Sequence, residues 1–334
     1  MDYEILIAVV LIVLDFFISF ALTRYWIKSA KKNELVGKDM NKFSKPPVAE
    51  AGGVAVVLSI VLGILIYIFV KTFIFKTETH IIESLVIITS ILLAGFIGFI
   101  DDILGWKKGL KPWYKMLLTF IIAIPLMVIN AGHSTMSLPL FGQIDFGIIY
   151  PLILIPIGVV GCTNGVNLLA GYNGLEASLG AIIFIIFGIV AIQTNLIWLA
   201  LIIGLVIASL MGFLIFNKYP AKVFPGDSLT YLVGALIGCF AIIGNMEKIA
   251  LILFIPFILE GILKAKSRFK AENFGKVNKD NSLETPYKNI YSLTHLSLKI
   301  LKKIKPSHKV YEKDVVLSLV LFEIILGIIV LFLI

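Results

Sequence analysis

Charge is scarce in this sequence of 334 residues: Asp, Glu, Lys and Arg make up 15%, hydrophobic residues 59%, and the mean hydropathy is +1.00. A soluble domain carries about 25% charged and 45–50% apolar residues, so a water-soluble globule is excluded. Cysteine is nearly absent. The two present, Cys162 and Cys239, sit in apolar stretches without a pairing pattern, which excludes a disulfide frame or a Cys-based zinc site and leaves them as small core residues. Of the four histidines, His295 and His308 fall in a polar basic stretch and read as surface residues, while His80 and His133 fall in the loops of the opposite side. The apolar run from Tyr3 or Glu4 has no basic segment before it and no small-residue cleavage site after it, so it reads as a retained helix rather than a removable signal. No basic domain interleaved with aromatics is present, which argues against a nucleic-acid partner.

What the sequence has instead is a series of apolar stretches, each long enough for a bilayer of about 30 Å. Ten helices are expected, near 4–26, 52–74, 81–100, 113–130, 147–165, 176–193, 196–215, 229–244, 248–263 and 315–334. The expected fold is therefore all-α, a polytopic membrane protein with residues 1–334 forming one transmembrane domain. The segments 24–45, 107–115, 218–222 and 264–313 hold 26 of the 29 Lys and Arg residues, and the other face has only Lys71, Lys76 and Lys248. The positive-inside rule assigns those four segments to the cytoplasm, with both termini outside. Most of the net charge of +8 is then a one-sided cytoplasmic field suited to anionic headgroups or an anionic substrate. The segment 264–314 is the one long polar region, with a short amphipathic helix expected at Leu293–Ile304 and length enough to cover a site. Trp26, Trp113 and Trp198 suit interfacial anchoring. Glu260 and Glu323, in or near spans, receive no role.

Three stretches carry chemistry, and all fall at the cytoplasmic face. In the first, residues 96–111, an apolar run ends at Asp101-Asp102 and a lysine cluster. Adjacent carboxylates at that depth hold charge only beside a cation, a lysine or water; the alternative is a charge cluster that anchors a helix end. In the second, residues 161–176, Asn164 and Asn167 share a helix face, and Gly171 and Gly174 allow backbone to approach a ligand. A plain Asn-Gly turn accounts for Asn173-Gly174 but not for amides inside the preceding helix. In the third, Lys222-Val223-Phe224-Pro225-Gly226-Asp227-Ser228 returns a carboxylate to the same face, or simply caps a helix with Asp227. Together Asp101, Asp102, Asn167 and Asp227 form an oxygen-rich set suited to magnesium acting on phosphates.

These residues carry a resemblance. Gly37-Lys38-Asp39-Met40-Asn41-Lys42 leading to Glu50, the Asp101-Asp102 dyad, the stretch from Cys162-Thr163-Asn164 to Ala177, and Val223 to Ser228 resemble the polyprenyl-phosphate N-acetylhexosamine-1-phosphate transferase superfamily. Asn-Leu-Leu-Ala-Gly-Tyr-Asn-Gly-Leu-Glu at 167–176 is most similar to the eukaryotic and archaeal dolichyl-phosphate N-acetylglucosamine-phosphotransferase branch. Bacterial phospho-MurNAc-pentapeptide transferases typically carry Asp-Gly-Leu-Asp-Gly there, and a later histidine cluster not found here. The resemblance runs by motif from about residue 35 to 270.

It implies transfer of N-acetylhexosamine 1-phosphate, N-acetylglucosamine first, from a UDP-sugar to a polyprenyl (dolichyl) phosphate with release of UMP. That reaction is the first membrane step of lipid-linked oligosaccharide assembly for N-glycosylation, placed in the cell membrane. By the same matching, Asp227 and Asn167 hold Mg2+, for which Mn2+ is an acceptable substitute. Lys111 meets the diphosphate, Asn164 is a polar partner nearby, and the dyad either takes a proton from the lipid phosphate or positions it. Phe224 stacks on uracil, the backbone around Met40 and Asn173 reads its edge, and Glu50 and Gly171 hold the ribose. Lys266-Ser267-Arg268 stands where the eukaryotic branch has Arg-His-Arg, so Lys266 and Arg268 are the counterparts for phosphate and sugar. A homodimer is compatible with this reading. The competing readings are an undecaprenyl-phosphate enzyme of bacterial type and a transporter; the latter would keep its site near the midplane on broken helices.

Overall fold

The computed structural model describes residues 2–104, 112–138 and 142–333. The apolar runs are helical because only a helix satisfies the N–H and C=O groups of a single segment without water. In chain order the helices are α1 (Asp2–Lys32), α2 (Gly53–Phe69, continued by a π-helical turn Val70–Phe75), α3 (Ile81–Leu104), α4 (Pro112–Val128), α5 (Ile155–Leu169, entered through a π-helical turn Tyr150–Leu154), α6 (Leu175–Gln193) and α7 (Ile197–Asn217). They continue as α8 (Gly226–Ile243), α9 (Glu247–Leu253), α10 (Ile255–Lys266), α11 (Leu293–Ile304) and α12 (Glu312–Leu333). Small antiparallel hairpins sit in the loops: β1 (Val36–Lys38) with β2 (Pro47–Ala49), β3 (Thr135–Leu138) with β4 (Gly142–Asp145), and β5 (Lys276–Val277) with β6 (Leu283–Glu284).

Every one of the ten expected segments is helical, but among the described residues only eight helices are long and apolar enough to cross a membrane: α1, α2, α3, α5, α6, α7, α8 and α12. Helix α4 has 17 residues. The segment expected as one span at 248–263 is two helices, because Pro256 in the first turn of α10 has no N–H to continue the ladder and Phe254 closes α9. Between α4 and α5, Thr135–Leu138 pairs antiparallel with Gly142–Asp145. The amphipathic helix at Leu293–Ile304 is α11 itself.

Helix α8 is the axis of the bundle. Ser228 through Ile242 are all buried, as expected of a helix that is apolar on every side. It packs against α3 and α5 through small residues. Gly98 lies on the Asp227–Ser228 backbone, and Gly234 lies on the Cys162–Thr163 backbone, so a side chain at either would collide with main chain. Helices α1 and α12 lie at the periphery and leave Leu6, Val9, Val13 and Phe17, and Ile325, Ile328 and Phe332, exposed. Such apolar faces are what a bilayer covers.

Several lone polar residues have structural partners. Asp15 of α1 accepts from Ser59 of α2 at 3.0 Å and from Ser209 of α7, while Ser19 donates to the Ser209 carbonyl at 2.6 Å. Glu260 caps α11, accepting Leu293 N–H at 2.7 Å and Ser292 Oγ at 3.0 Å. Glu323 is fully buried in α12. His295, expected at the surface, is 1% exposed, because Leu293, Thr294 and His295 form the turn of α11 that packs inward. His308 is exposed, as expected.

Short connections make successive helices antiparallel. The C-termini of α1, α3, α5 and α7 and the N-termini of α2, α4, α6, α8 and α12 therefore meet at one end of the bundle. The described residues of the basic segments meet there too.

Candidate active site

The site begins with the close approach of α3 to the start of α8. Because Gly98 lets the two backbones touch, Asp102 reaches the first turn of α8 and accepts N–H groups from Asp227 at 2.6 Å and Ser228 at 3.1 Å. Those groups have no partner within the helix, and an anion there is favoured by the helix dipole. Gly226 precedes them at φ +70°, and a side chain on it would run into the Asp102 carboxylate.

Asp227, which the sequence also allows as a helix cap, is free of that task because Asp102 performs it. Its Oδ1 accepts Asn167 Nδ2 at 2.7 Å, and Asn167 also donates to Thr230 Oγ1 at 2.9 Å. Its Oδ2 pairs with Lys115 Nζ at 2.8 Å, and the same ammonium pairs with Asp101. One cation of the chain thus sits between two carboxylates, where like charges would otherwise repel. Among the described residues no three His, Cys, Asp or Glu side chains converge as a full metal cage. The donor set is two carboxylates and an amide, open to a cavity.

That cavity has a volume of about 920 Å³, and nine of the thirteen site residues expected from sequence line it. Asp101, Asp102, Asn167 and Asp227 form one wall, and Met40, Glu50, Gly171, Asn173 and Phe224 line the rest. Phe224 is held by backbone: its N–H donates to the Ala49 carbonyl at 2.7 Å, and its own carbonyl accepts Gly52 N–H at 2.9 Å. This strand-like pairing sets Phe224 beside Glu50, whose backbone carbonyl accepts Trp26 Nε1 at 2.8 Å. Burial raises the Glu50 carboxyl above the ordinary glutamate range. Gly171, at φ +133°, donates its N–H to Glu176 at 2.7 Å, and its carbonyl accepts Asn41 Nδ2 at 3.1 Å.

Of the four remaining expected residues, three are described and are not in this lining. Lys111 lies outside the described residues. Asn164 donates to Thr119 Oγ1 and to the Val160 carbonyl, both at 2.9 Å, and so ties α5 to α4. Lys266 and Arg268 are exposed at the end of α10. The turn that follows, with Arg268 at φ +54°, sends the chain back so that Asn273 and Phe274 reach the site instead. Asn273 Nδ2 donates to the Leu168 and Ala170 carbonyls at 2.8 and 2.7 Å, capping α5 just beyond Asn167, and Phe274 lines the cavity beside Gly171.

Sequence reasoning missed Lys115, Asp39 and Glu312. Lys115 lies in a basic segment whose charge marks the cytoplasmic face without singling out any one lysine. Asp39 belongs to the Gly37–Lys42 motif. Glu312, at the start of the last helix, gives no local signal.

Residues 84–245 match the model of glycosyl transferase family 4. A protein of Saccharolobus solfataricus, named provisionally as a UDP-N-acetylglucosamine–dolichyl-phosphate N-acetylglucosaminephosphotransferase, is 38% identical over 86% of this chain and 87% of its own. One of the same provisional name from Sulfolobus acidocaldarius is 33% identical over 87% of each chain. A phospho-N-acetylmuramoyl-pentapeptide-transferase of Halalkalibacterium halodurans is 34% identical over 63% of this chain and 65% of its own. With the acidic cluster at the end of a helical bundle and this breadth of similarity, the chain belongs to glycosyl transferase family 4.

Proposed function

We propose that this protein transfers N-acetylglucosamine 1-phosphate from UDP-N-acetylglucosamine to a dolichyl-type polyprenyl phosphate, releasing UMP. The observation that carries the reading is the Asp101–Lys115–Asp227–Asn167 cluster, open to a cavity of about 920 Å³. The names of the relatives specify the two substrates, and the broader coverage by the dolichyl-phosphate relatives favours them over the pentapeptide-transferase type. A lipid carrying one sugar phosphate suits the opening of oligosaccharide assembly for N-glycosylation.

An oxygen of the lipid phosphate attacks the sugar-bearing phosphorus of the donor. The bond from that phosphorus to the bridging oxygen breaks, and UMP leaves with the oxygen. The attacking phosphate is anionic near neutral pH, so placement and charge neutralisation account for most of the task. Lys115 offsets charge on the diphosphate, and Asp101 and Asp102 fix Lys115 and the start of α8. Asn167 and Asp227 fit a hard divalent cation, which takes one or two protein ligands and completes its shell with phosphate oxygens and water. Mg2+, or Mn2+ in its place, would neutralise the diphosphate there. Phe224 faces the base, and Glu50 and Gly171 the ribose.

Counting basic residues assigns this end of the bundle to the cytoplasm. In this arrangement α4 and the α9–α10 pair join the eight longer helices as spans, and both termini lie outside the cell membrane.

The test is transfer of label from UDP-N-acetylglucosamine into organic-extractable lipid by purified protein with Mg2+ and dolichyl phosphate. Parallel reactions contain UDP-N-acetylgalactosamine or undecaprenyl phosphate. Labelled lipid and free UMP are expected, both lost on chelation and in Asp227→Asn. Folded protein that transfers from no UDP-sugar would overturn the reading.

A further inference from the structure

Two loops that line the cavity come from distant parts of the chain: residues 39–42, after β1, and residues 171–173, between α5 and α6. No strand pairing or shared helix joins them. What joins them, beside one bond from Asn41 Nδ2 to the Gly171 carbonyl at 3.1 Å, is a pair of buried carboxylates. Asp39 accepts Asn41 N–H at 3.1 Å on one oxygen and Asn173 Nδ2 at 3.0 Å on the other. Glu312, 1% exposed at the start of α12, accepts from both loops. Its Oε1 takes Asn173 N–H at 2.8 Å and Asn41 Nδ2 at 3.3 Å; its Oε2 takes Asn173 Nδ2 at 3.4 Å and pairs with Lys42. The Lys42 ammonium also stands 4.0 Å from the centre of the Tyr219 ring, which closes the hub on its far side.

Glu312 does not line the cavity, whereas Met40, Gly171 and Asn173 do. It therefore acts through them. Carboxylates only accept hydrogen bonds, so the two around Asn173 commit its amide nitrogen. What that side chain then offers a ligand is an acceptor oxygen, which suits a base whose ring nitrogen carries a hydrogen, as in uracil. Cytosine presents an unprotonated ring nitrogen at the corresponding position.

We infer that Glu312 is the positioning residue of the nucleotide-base subsite: it locks the 39–42 and 171–173 loops together and fixes the Asn173 amide so that a uracil base is selected. This rests on the UDP-sugar reading given above.

Glu312→Gln and Glu312→Asp test it. The glutamine keeps one acceptor but turns an amide nitrogen toward donors, and the aspartate keeps the charge on a shorter side chain. Binding of UDP and of CDP is measured by calorimetry, alongside KM and kcat for transfer from UDP-N-acetylglucosamine. In Glu312→Gln, losing hydrogen bonds to a charged group raises KM about tenfold or more. The kcat stays within about threefold, because groups used equally in ground and transition states change KM alone. The preference for UDP over CDP falls about fivefold or more, by the same affinity arithmetic. Glu312→Asp shows the same changes in smaller measure, and it carries the test if Glu312→Gln does not fold. Wild-type KM and base preference in a folded variant, or a fall in kcat at constant KM, would overturn the inference. Wild-type protein that binds UDP without transferring would refute the reaction and leave the base-subsite test in force. Wild-type protein that does neither would overturn both.

Discussion

The carboxylate of Asp102 receives the backbone N–H of Asp227 at 2.6 Å, so the second acid of the dyad orients the other acid of the same wall of the site. The contact substitutes for the side-chain cap that α8 otherwise lacks. Loss of such a cap costs about 1 kcal/mol and up to about 2. Asp102→Ala is expected to lower the melting temperature by a few degrees and transfer activity by about 100-fold or more, since Asp227 loses its fixed position. Asp102→Asn retains one acceptor and falls between. Melting curves and rates on the same samples check this, and full activity in Asp102→Ala would remove Asp102 from the site.

Lys115 is the cation that lets Asp101 and Asp227 share one space. In Lys115→Met the two carboxylates face each other without it, and transfer is expected to fall by about 100- to 1,000-fold, as for loss of a group that stabilises developing charge. The variant should also gain more thermal stability from added Mg2+ than wild type does, because an ion bound only by the folded protein stabilises it by mass action. Equal Mg2+ responses in the two proteins would show that no divalent ion settles between these carboxylates. Lys115→Arg is expected to recover little, since a planar fork does not fill the place of a compact ammonium.

Away from the cavity, Asp15 fastens α1 to α2 and α7 through Ser59 and Ser209. Asp15→Ala removes the charged acceptor of two buried hydroxyls and leaves Ser59 only the residue-15 carbonyl at 3.1 Å and Ser209 only Ser59 Oγ at 3.2 Å, a loss of about 1–2 kcal/mol. The protein should melt earlier while KM for the donor stays at the wild-type value. A changed KM with unchanged melting would contradict a purely structural role.

The sequence made the helices and most of the cavity legible for one reason: each is written locally. Apolar runs give the spans, and Asp101-Asp102, Asn167 and Phe224–Asp227 lie in short motifs at helix ends. The differences in placement have physical causes. One proline, Pro256, divides an apolar run whose hydropathy alone reads as continuous. Asn164 and Asn167 share a helix face, yet only Asn167 opens to the cavity, because Thr119 on a neighbouring helix takes up Asn164. Lys266 and Arg268 fit a motif position, but the left-handed turn at Arg268 and Phe269 carries the chain past them to Asn273. Glu312 is 271 residues from Asn41, to which it bonds, and no local pattern encodes that contact.

His295 supplies a pH dependence outside the active site. Its ring is buried in the first turn of α11 near Tyr287, and burial, then the Lys264 ammonium, push its pKa down from 6.5 to about 4. The neutral ring is the form the fold accepts. Since the unfolded chain binds the proton more readily, stability is whole above about pH 6.5 and is lost as pH falls toward 4. A shift of that size corresponds to a loss on the order of 3 kcal/mol. Melting temperatures between pH 7 and 4 should therefore fall less steeply in His295→Phe than in wild type, because the phenyl ring has no proton to bind. Parallel slopes in the two proteins would place the acid sensitivity on other groups.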